Sequence, residues 1–151
     1  MTIKIIAVIG AGDAEGELLS TAEEVGRLIA QNGAVMVCGG LGGVMEAAAR
    51  GAKSLGGLTL GILPGLDKND ANPYIDVPVT TGMGDMRNAV IVRTADVLIA
   101  VGGAYGTLSE IALALKTGKT VIGINTWDIK GTIMAESAEE AVNKALASLK
   151  L

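Results

Sequence analysis

Three glycine-rich turns contain the residues of this sequence best suited to chemistry. They span residues 10–12, 39–43 and 102–106, and each directly follows an apolar run. Glycine lets backbone N–H groups approach an oxyanion closely, and a helix that begins after the turn adds a partial positive charge. One such turn is explained as well by tight strand-to-helix geometry, whereas three on one sheet edge favour a phosphate or another anionic ligand. The glycines concerned are Gly10, Gly12, Gly39, Gly40, Gly42, Gly43, Gly102, Gly103 and Gly106.

Two charged residues accompany these turns, and each has two interpretations. Arg87 would clamp a phosphate through charge-assisted hydrogen bonds worth about 1.5–3 kcal/mol each. In the second interpretation, Arg87 is a surface arginine paired with Asp85 or with a loop carbonyl. Glu110 lies four residues after Gly106 and, with Thr107, fits a T-x-x-E capping box that satisfies helix amides. In the second interpretation, the Glu110 carboxylate faces the ligand.

The glycine spacing disfavours two common phosphate sites. A nicotinamide fingerprint requires G-x-G-x-x-G and an acidic residue at the end of the second strand. Here the first turn provides Gly10, Gly12 and Gly16, and the second predicted strand ends at Cys38 before two glycines. Residues 118–120 resemble the end of a P-loop, but they lie between a helix and a strand, the reverse of the required order. A dehydrogenase is therefore not expected.

Composition removes further function classes. The 151 residues include no histidine and one cysteine, which excludes histidine chemistry, an internal disulfide and a multi-cysteine zinc site, so no metal site is predicted. The net charge of −4 and the pI near 4.8 argue against a nucleic-acid partner. Apolar stretches are strand-length and interrupted by glycine, and no signal-peptide pattern is present. We expect a cytoplasmic protein with no membrane partner.

The elements that must position these residues follow from hydrophobic periodicity. Aromatic residues make up only 2% of the chain, so Val, Ile, Leu and Ala must build the core. The polar, turn-forming segment 64–74 is predicted to be a mobile surface loop, and no domain boundary is visible within residues 1–151. The pattern predicts one three-layer α/β/α Rossmann-like domain with a mainly parallel sheet. Strands are expected at 3–9, 34–38, 58–63, 75–79, 97–101 and 120–125, and helices at 15–32, 44–55, 83–94, 107–117 and 137–149.

The turns and their flanking motifs resemble a known superfamily. Residues 39–46 read GG-x-GGVME, residues 102–110 read GG-x-YGTLSE, and a Thr-Gly…Arg-Asn segment lies between them. Over nearly the whole chain this resembles the LOG ("Lonely guy") and DprA-like Rossmann superfamily, and most closely its molybdenum cofactor carrier-like branch. That branch includes proteins labelled "possible lysine decarboxylase". The resemblance adds these ligand-binding candidates to the glycines: Glu46, Thr81, Gly82, Arg87, Asn88, Tyr105 and Thr107.

The phosphoribohydrolases of the superfamily offer a catalytic interpretation of the same positions. Their pattern is PGG-x-GT-x-x-E with an upstream Met-His-x-Arg-Lys. The resemblance places Gly106 and Thr107 at a 5′-phosphate, Glu110 at the ribose, and Arg87 as the catalytic arginine. The sequence departs from the pattern at three positions and has no histidine, which favours binding over hydrolysis. The three departures are Gly102 for proline, Ala104 for the second glycine and Asn88 for lysine. Outside this pattern, Glu46 stands where those enzymes commonly have glycine, which adds negative charge near the expected phosphate.

The sequence leaves three hypotheses about function. The first is a binding or carrier protein for a phosphorylated nucleotide-like or pterin-like molecule, with an AMP-like nucleotide or molybdopterin as possible ligand and no required cofactor. The alternative is a LOG-type phosphoribohydrolase that cleaves the N-glycosidic bond of nucleoside 5′-monophosphates. The third is an interaction subunit with a vestigial pocket. A pyridoxal-phosphate lysine decarboxylase is not supported, because no lysine lies on a glycine-rich turn.

An apolar run also predicts self-association. Residues 89–92 read Ala-Val-Ile-Val, which is more apolar surface than one core-facing stripe of a helix requires. We expect this run to lie in a subunit contact of a homodimer or homotetramer.

Overall fold

Seven parallel strands form one sheet in a computed structural model that describes residues 2–150. The strand order is β4-β3-β2-β1-β5-β6-β7. The central strand β1 pairs with β2 on one side and with β5 on the other, with Ala7 opposite both Val37 and Leu98. The strands are β1 (Ile5–Gly10), β2 (Val35–Cys38), β3 (Thr59–Leu63), β4 (Val77–Thr80), β5 (Val97–Val101), β6 (Thr120–Ile124) and β7 (Ile133–Met134).

Within residues 2–150, five α-helices cover the two faces of the sheet. Successive side chains of β1 point to opposite faces, so Ile6 and Val8 belong to one core and Ala7 and Ile9 to the other. Helices α1, α2 and α5 pack in the first core, and α3 and α4 pack in the second. The helices are α1 (Glu17–Gln31), α2 (Val44–Ser54), α3 (Asn88–Thr94), α4 (Tyr105–Lys116) and α5 (Ala138–Ser148).

A topological switch point separates β1 from β5. The chain leaves β1 through α1 on one face toward β2, and it leaves β5 through α4 on the opposite face toward β6. The two connections diverge at the carboxyl ends of neighbouring strands, and open α/β sheets bind their ligands in the crevice that this creates. The predicted three-layer α/β/α Rossmann-like fold is confirmed.

The differences from the predicted elements lie mostly at boundaries. The expected helix 83–94 is a 3₁₀ turn at Gly84–Arg87 followed by α3, and α4 begins two residues earlier than expected. The two-residue strand β7 was not predicted, because so short a run gives no periodic signal. Segment 64–74 contains a 3₁₀ turn at Lys68–Asp70 and is tied to the second glycine turn by the buried Asn72.

None of the helices formed by residues 2–150 has the length and apolar character required to cross a membrane.

Candidate functional site

The three glycine turns meet at one cavity of about 190 Å³ at the switch point. The first turn contributes Gly10 and Gly12, the second contributes Gly39, and the third contributes Gly106. All three come from the carboxyl edge of the sheet, as the sequence predicted. The three turns therefore share one crevice and are not three separate tight turns.

Not every predicted site residue lines this cavity. Those that do are Gly10, Gly12, Gly39, Arg87, Asn88, Gly106, Thr107 and Glu110. Those that do not are Gly40, Gly42, Gly43, Glu46, Thr81, Gly82, Gly102, Gly103 and Tyr105. The cavity is also lined by residues that the sequence did not single out, which are Val8, Ile9, Ala11, Asp13, Met45, Asp85 and Ala104. Each missed residue is next to, or two residues from, a predicted one, so proximity along the chain was the available signal.

Several of the predicted glycines that lie outside the cavity shape its walls instead. Gly103 has a φ of 110°, and a Cβ there would collide with the Thr107 side chain. Gly43 has a φ of 62°, and a Cβ there would lie 2.5 Å from the carbonyl carbon of Gly12. These positions require glycine because only glycine combines a positive φ with such close approach. Their role is to bring the turns together.

The backbone N–H groups of the turns divide into committed and free. Gly40 donates to Cys38 Sγ (3.3 Å), Gly82 to the Gly65 carbonyl (2.9 Å) and Gly102 to the Ile124 carbonyl (2.9 Å). Gly40 and Gly102 belong to the second and third turns and Gly82 to the Thr-Gly segment, and all three N–H groups already have internal acceptors. Their N–H groups satisfy the fold.

Free N–H groups cluster at the start of α4. The first backbone donor of this region with an internal acceptor is Leu108, which bonds to the Ala104 carbonyl at 3.0 Å. Within residues 2–150, the amides of Tyr105, Gly106 and Thr107 find no acceptor. The first turn of a helix leaves such donors exposed and carries the positive end of its dipole. This arrangement suits an anion.

Arg87 borders the same cavity with its guanidinium partly committed. Its Nε donates to the Ile62 carbonyl (2.8 Å), its Nη2 to the Gly39 carbonyl (3.4 Å) and its Nη1 to the Asn88 side-chain oxygen. No ion pair with Asp85 forms among residues 2–150. A guanidinium has five N–H donors, so these three bonds leave two for a ligand. Arg87 thus joins β3 to the second turn and still faces the cavity.

Thr107 and Glu110 are buried polar residues of α4 that face the cavity. Because α4 begins at Tyr105 with Ala104 as N-cap, both lie inside the helix, and the predicted capping box is wrong. Thr107 is 3% exposed and Glu110 is 7% exposed. Neither side chain hydrogen-bonds to any residue in the range 2–150. Among residues 2–150 the one fully buried side-chain oxygen without a partner is Thr132 Oγ1, so the polar atoms of Thr107 and Glu110 open onto the cavity, where a bound molecule can reach them.

The environment of Glu110 changes its acidity. Burial raises the pKa of Glu110 to about 7, against a smaller lowering by the positive charge of Arg87. The carboxyl group is therefore near half-protonated at neutral pH, where it can both donate and accept a proton. This is the range in which a general acid or base works best.

Cys38 is an inert neighbour of the site. Its thiol is fully buried behind the second turn, and burial raises its pKa to about 12. The thiol accepts from Gly40 N–H and points toward the Met45 carbonyl at 3.8 Å. At neutral pH it stays protonated and serves the turn geometry rather than nucleophilic chemistry.

Two predicted ligand residues lie beside the cavity. Tyr105 is 80% exposed and stacks on Trp127 with ring centroids 6.0 Å apart. The Trp127 Nε1 donates to the Ala104 carbonyl at 3.0 Å, which ties the aromatic pair to the third turn. Glu46 lines a second cavity of about 300 Å³, which shares Gly12 and Asp13 with the first.

Across residues 2–150, no group of three or more acidic or cysteine side chains is placed to hold a metal ion.

Comparison with known proteins places this geometry in a family. Residues 3–149 match the family described as the SLOG cluster4 family. An uncharacterized protein of Archaeoglobus fulgidus is 50% identical over 149 residues, which cover 98% of each chain. A cytokinin riboside 5′-monophosphate phosphoribohydrolase of Mycobacterium tuberculosis is 34% identical over 131 residues, covering 78% of this chain and 67% of the relative.

Two solved structures share the whole fold. The molybdenum cofactor binding protein of the phototrophic bacterium Rippkaea orientalis superposes with a TM-score of 0.95 and 37% identity over 99% of both chains. The molybdenum cofactor carrier protein MCP of Chlamydomonas reinhardtii superposes with a TM-score of 0.90 and 35% identity, covering 98% of this chain and 99% of its own. The predicted resemblance to the LOG/DprA-like superfamily and to its carrier-like branch is confirmed.

Proposed function

The chain belongs to the SLOG cluster4 family, and from this premise we propose that it binds and carries a phosphorylated, nucleotide-like or pterin-like small molecule. The observation that carries the proposal is the meeting of three glycine turns at one cavity that also receives free helix amides. Two similar structures are named for binding or carrying the molybdenum cofactor, which supports a molybdopterin as one candidate cargo. An AMP-like nucleotide is the other. We propose no required cofactor beyond the cargo.

Binding starts at the first turn of α4. A phosphate there accepts from the amides of Gly106 and Thr107, next to the positive end of the helix dipole. The free donors of Arg87 add charge-assisted hydrogen bonds worth about 1.5–3 kcal/mol each. Ligand pockets usually measure about 300–1,000 Å³, so the cavity of about 190 Å³ encloses only part of such a ligand. The remainder extends out of the cavity.

The proposal is tested by the effect of AMP on thermal unfolding. Ligand at 100 times its Kd is expected to add about 2.7 kcal/mol to the free energy of unfolding. Arg87→Ala is expected to lose this gain, and Arg93→Ala, which removes an exposed arginine of α3, is expected to keep it. Native mass spectrometry of the purified protein tests the pterin candidate directly. Failure of AMP to stabilise, together with a bare native mass, would overturn the proposal.

Hydrolysis of nucleoside 5′-monophosphates is the second candidate, and Glu110 is the observation that favours it. A half-protonated carboxyl in the cavity suits a reaction in which water adds to C1′ of the ribose, the N-glycosidic bond breaks, and the base leaves with a proton. The phosphoribohydrolase of Mycobacterium tuberculosis supports this alternative. The test is release of adenine from AMP at high protein concentration. Release that Glu110→Gln abolishes would establish the activity, and no release would exclude it for AMP.

We also propose that the protein is a homodimer or homotetramer in the cytoplasm, without a nucleic-acid partner. Ile91 and Val92 lie in the core of the chain, so of the apolar run only the half-buried Ala89 and Val90 remain for a contact. Met86, which is 71% exposed, adds to that surface. The net charge of −4 disfavours nucleic acid. Light scattering tests the oligomeric state, and a monomer would contradict the proposed homodimer or homotetramer.

A further inference from the structure

The cavity contains more negative than positive charge, which is unusual for a site that takes an anion. Its lining includes three carboxyl groups, from Asp13, Asp85 and Glu110, and one cationic side chain, from Arg87. Asp13 and Asp85 are exposed, so water screens their charges. Glu110 is 7% exposed, so water screens its charge much less.

The positive charge of Arg87 offsets only part of the cost of a buried negative charge on Glu110. Asp13 faces the cavity from the β1–α1 turn, Asp85 and Arg87 face it from the 3₁₀ turn, and Cys38 lies behind it on β2. The thiol is neutral, and the Arg87 guanidinium donates to two backbone carbonyls and to a side-chain amide. No salt bridge to Glu110 forms within the part of the chain that the structure describes.

We propose that the protein takes up one proton, on the Glu110 side chain, when its anionic ligand binds. The inference rests on the proposed binding function. Because Glu110 is buried, water screens little of the repulsion between its ionised carboxylate and a phosphate bound in this cavity. Protonation removes the repulsion and converts the carboxyl from an acceptor into an O–H donor, which the ligand oxygens can accept. The unpaired Thr107 hydroxyl lies on the same helix face, one turn away.

The direction of the pH dependence follows by linkage. The pKa of Glu110 is about 7 in the free protein, so below that value the proton is already present and binding takes up none. Above it, the free protein must gain a proton to bind, and the Kd rises with pH. The rise approaches tenfold per pH unit for one proton. AMP itself is dianionic in this range because its second phosphate pKa is about 6.

The test is isothermal titration of the full chain with AMP at pH 7.5, 8.0 and 8.5. Each titration is run in two buffers of different ionisation enthalpy, because the difference in heat counts the protons taken up. We expect uptake approaching one proton per AMP and a Kd that rises about tenfold between pH 7.5 and 8.5. Binding without proton uptake would overturn the inference and leave the binding function intact. A further titration at pH 6.5 covers the range in which the proton is already present, and absence of AMP binding at all four pH values would overturn the proposed function for AMP and the inference with it.

Two variants locate the proton. Glu110→Gln is neutral and isosteric, so it is expected to bind AMP with a Kd that changes less than twofold over the same range and to take up no proton. Asp85→Asn removes a carboxyl from the same cavity at an exposed position and is expected to retain the uptake. Proton uptake that persists in Glu110→Gln would place the proton elsewhere and overturn the inference. If that variant fails to fold, the two-buffer result on the unmodified chain still decides whether a proton is taken up at all.

Discussion

The second and third glycine turns have similar sequences and differ in the hydrogen bonds of their polar groups. In the second turn, Asn72 donates to the Gly40 and Leu41 carbonyls, Arg87 donates to the Gly39 carbonyl, and Gly40 N–H bonds to the Cys38 thiol. In the third turn, the amides at the start of α4 and two buried side chains have no partner within residues 2–150. The third turn also holds the fold, since Gly102 N–H donates to the Ile124 carbonyl and Trp127 Nε1 donates to the Ala104 carbonyl, and it differs from the second turn in the unpartnered polar side chains that stand beside its free amides. Glycine content alone does not distinguish the two.

The largest expected effect is on the structural turn. Gly43→Ala is expected to lower the free energy of unfolding by about 3–5 kcal/mol, because a positive-φ alanine costs about 1–3 kcal/mol and overpacking adds a similar amount. Gly16→Ala is the matched control, since both glycines have φ 62° and ψ −129° but no atom lies within 4 Å of a Cβ at Gly16. Denaturant melts measure the difference. Equal losses would show that steric contact between the turns contributes nothing.

The next largest effect on stability is expected from removing the negative charge of Glu110. The folded pKa of Glu110, about 7, lies above its ordinary value of 4.5, so the folded protein holds its proton longer than the unfolded chain. The contribution of Glu110 to the free energy of unfolding is therefore fully present below about pH 4.5. It falls by about 3 kcal/mol as the pH rises to 7, at about 1.4 kcal/mol per pH unit. Glu110→Gln is expected to remove this slope and to be more stable at pH 8. Glu139→Gln, at an exposed site of α5, is expected to leave the slope unchanged.

Asn72→Ala tests how much the second turn depends on its network. The side chain is buried, and its loss leaves the Leu41 carbonyl and Tyr74 N–H without their 2.8 Å and 3.0 Å partners. We expect a loss of about 2 kcal/mol, since an unsatisfied buried group costs about 1–3 kcal/mol. Asn69→Ala, in the same loop but exposed, serves as the control in urea melts. A loss below 0.5 kcal/mol, on the order of a surface change, would mean that the loop is not held at Asn72.

The smallest effect on stability is expected at the ligand turn. Gly106→Ala finds no atom within 4 Å of the new Cβ, so stability is expected to stay level or rise by about 0.5–1 kcal/mol from helix propensity. The methyl group projects where Gly106 lines the cavity, so AMP affinity is expected to fall at least tenfold. Titration calorimetry and a thermal melt on the same sample separate the two outcomes. Unchanged affinity would show that the ligand does not approach this amide.

The fold was largely predictable because its signals are local. Continuous β-branched runs predicted six of the strands, and polar and apolar periodicity predicted α1, α2 and α5 within three residues at each end. The region around Arg87 was harder, because the glycines of 82–87 break the periodicity that an unbroken helix 83–94 would need. The capping box failed for a related reason: T-x-x-E describes a helix start, and the chain enters α4 two residues earlier.

Residue types and their spacing along the chain were enough to predict the succession of strands and helices, the glycine turns after three strands, and the family. Three properties became visible only in the folded chain: which turn amides are free, which acids face the cavity, and that the buried Glu110 has no hydrogen-bond partner among residues 2–150. Those properties depend on groups that lie far apart in sequence, such as Arg87 and Gly39, 48 residues apart. Hydrogen bonding and desolvation act through space, so a carboxyl group acquires its pKa from the neighbours that folding brings to it.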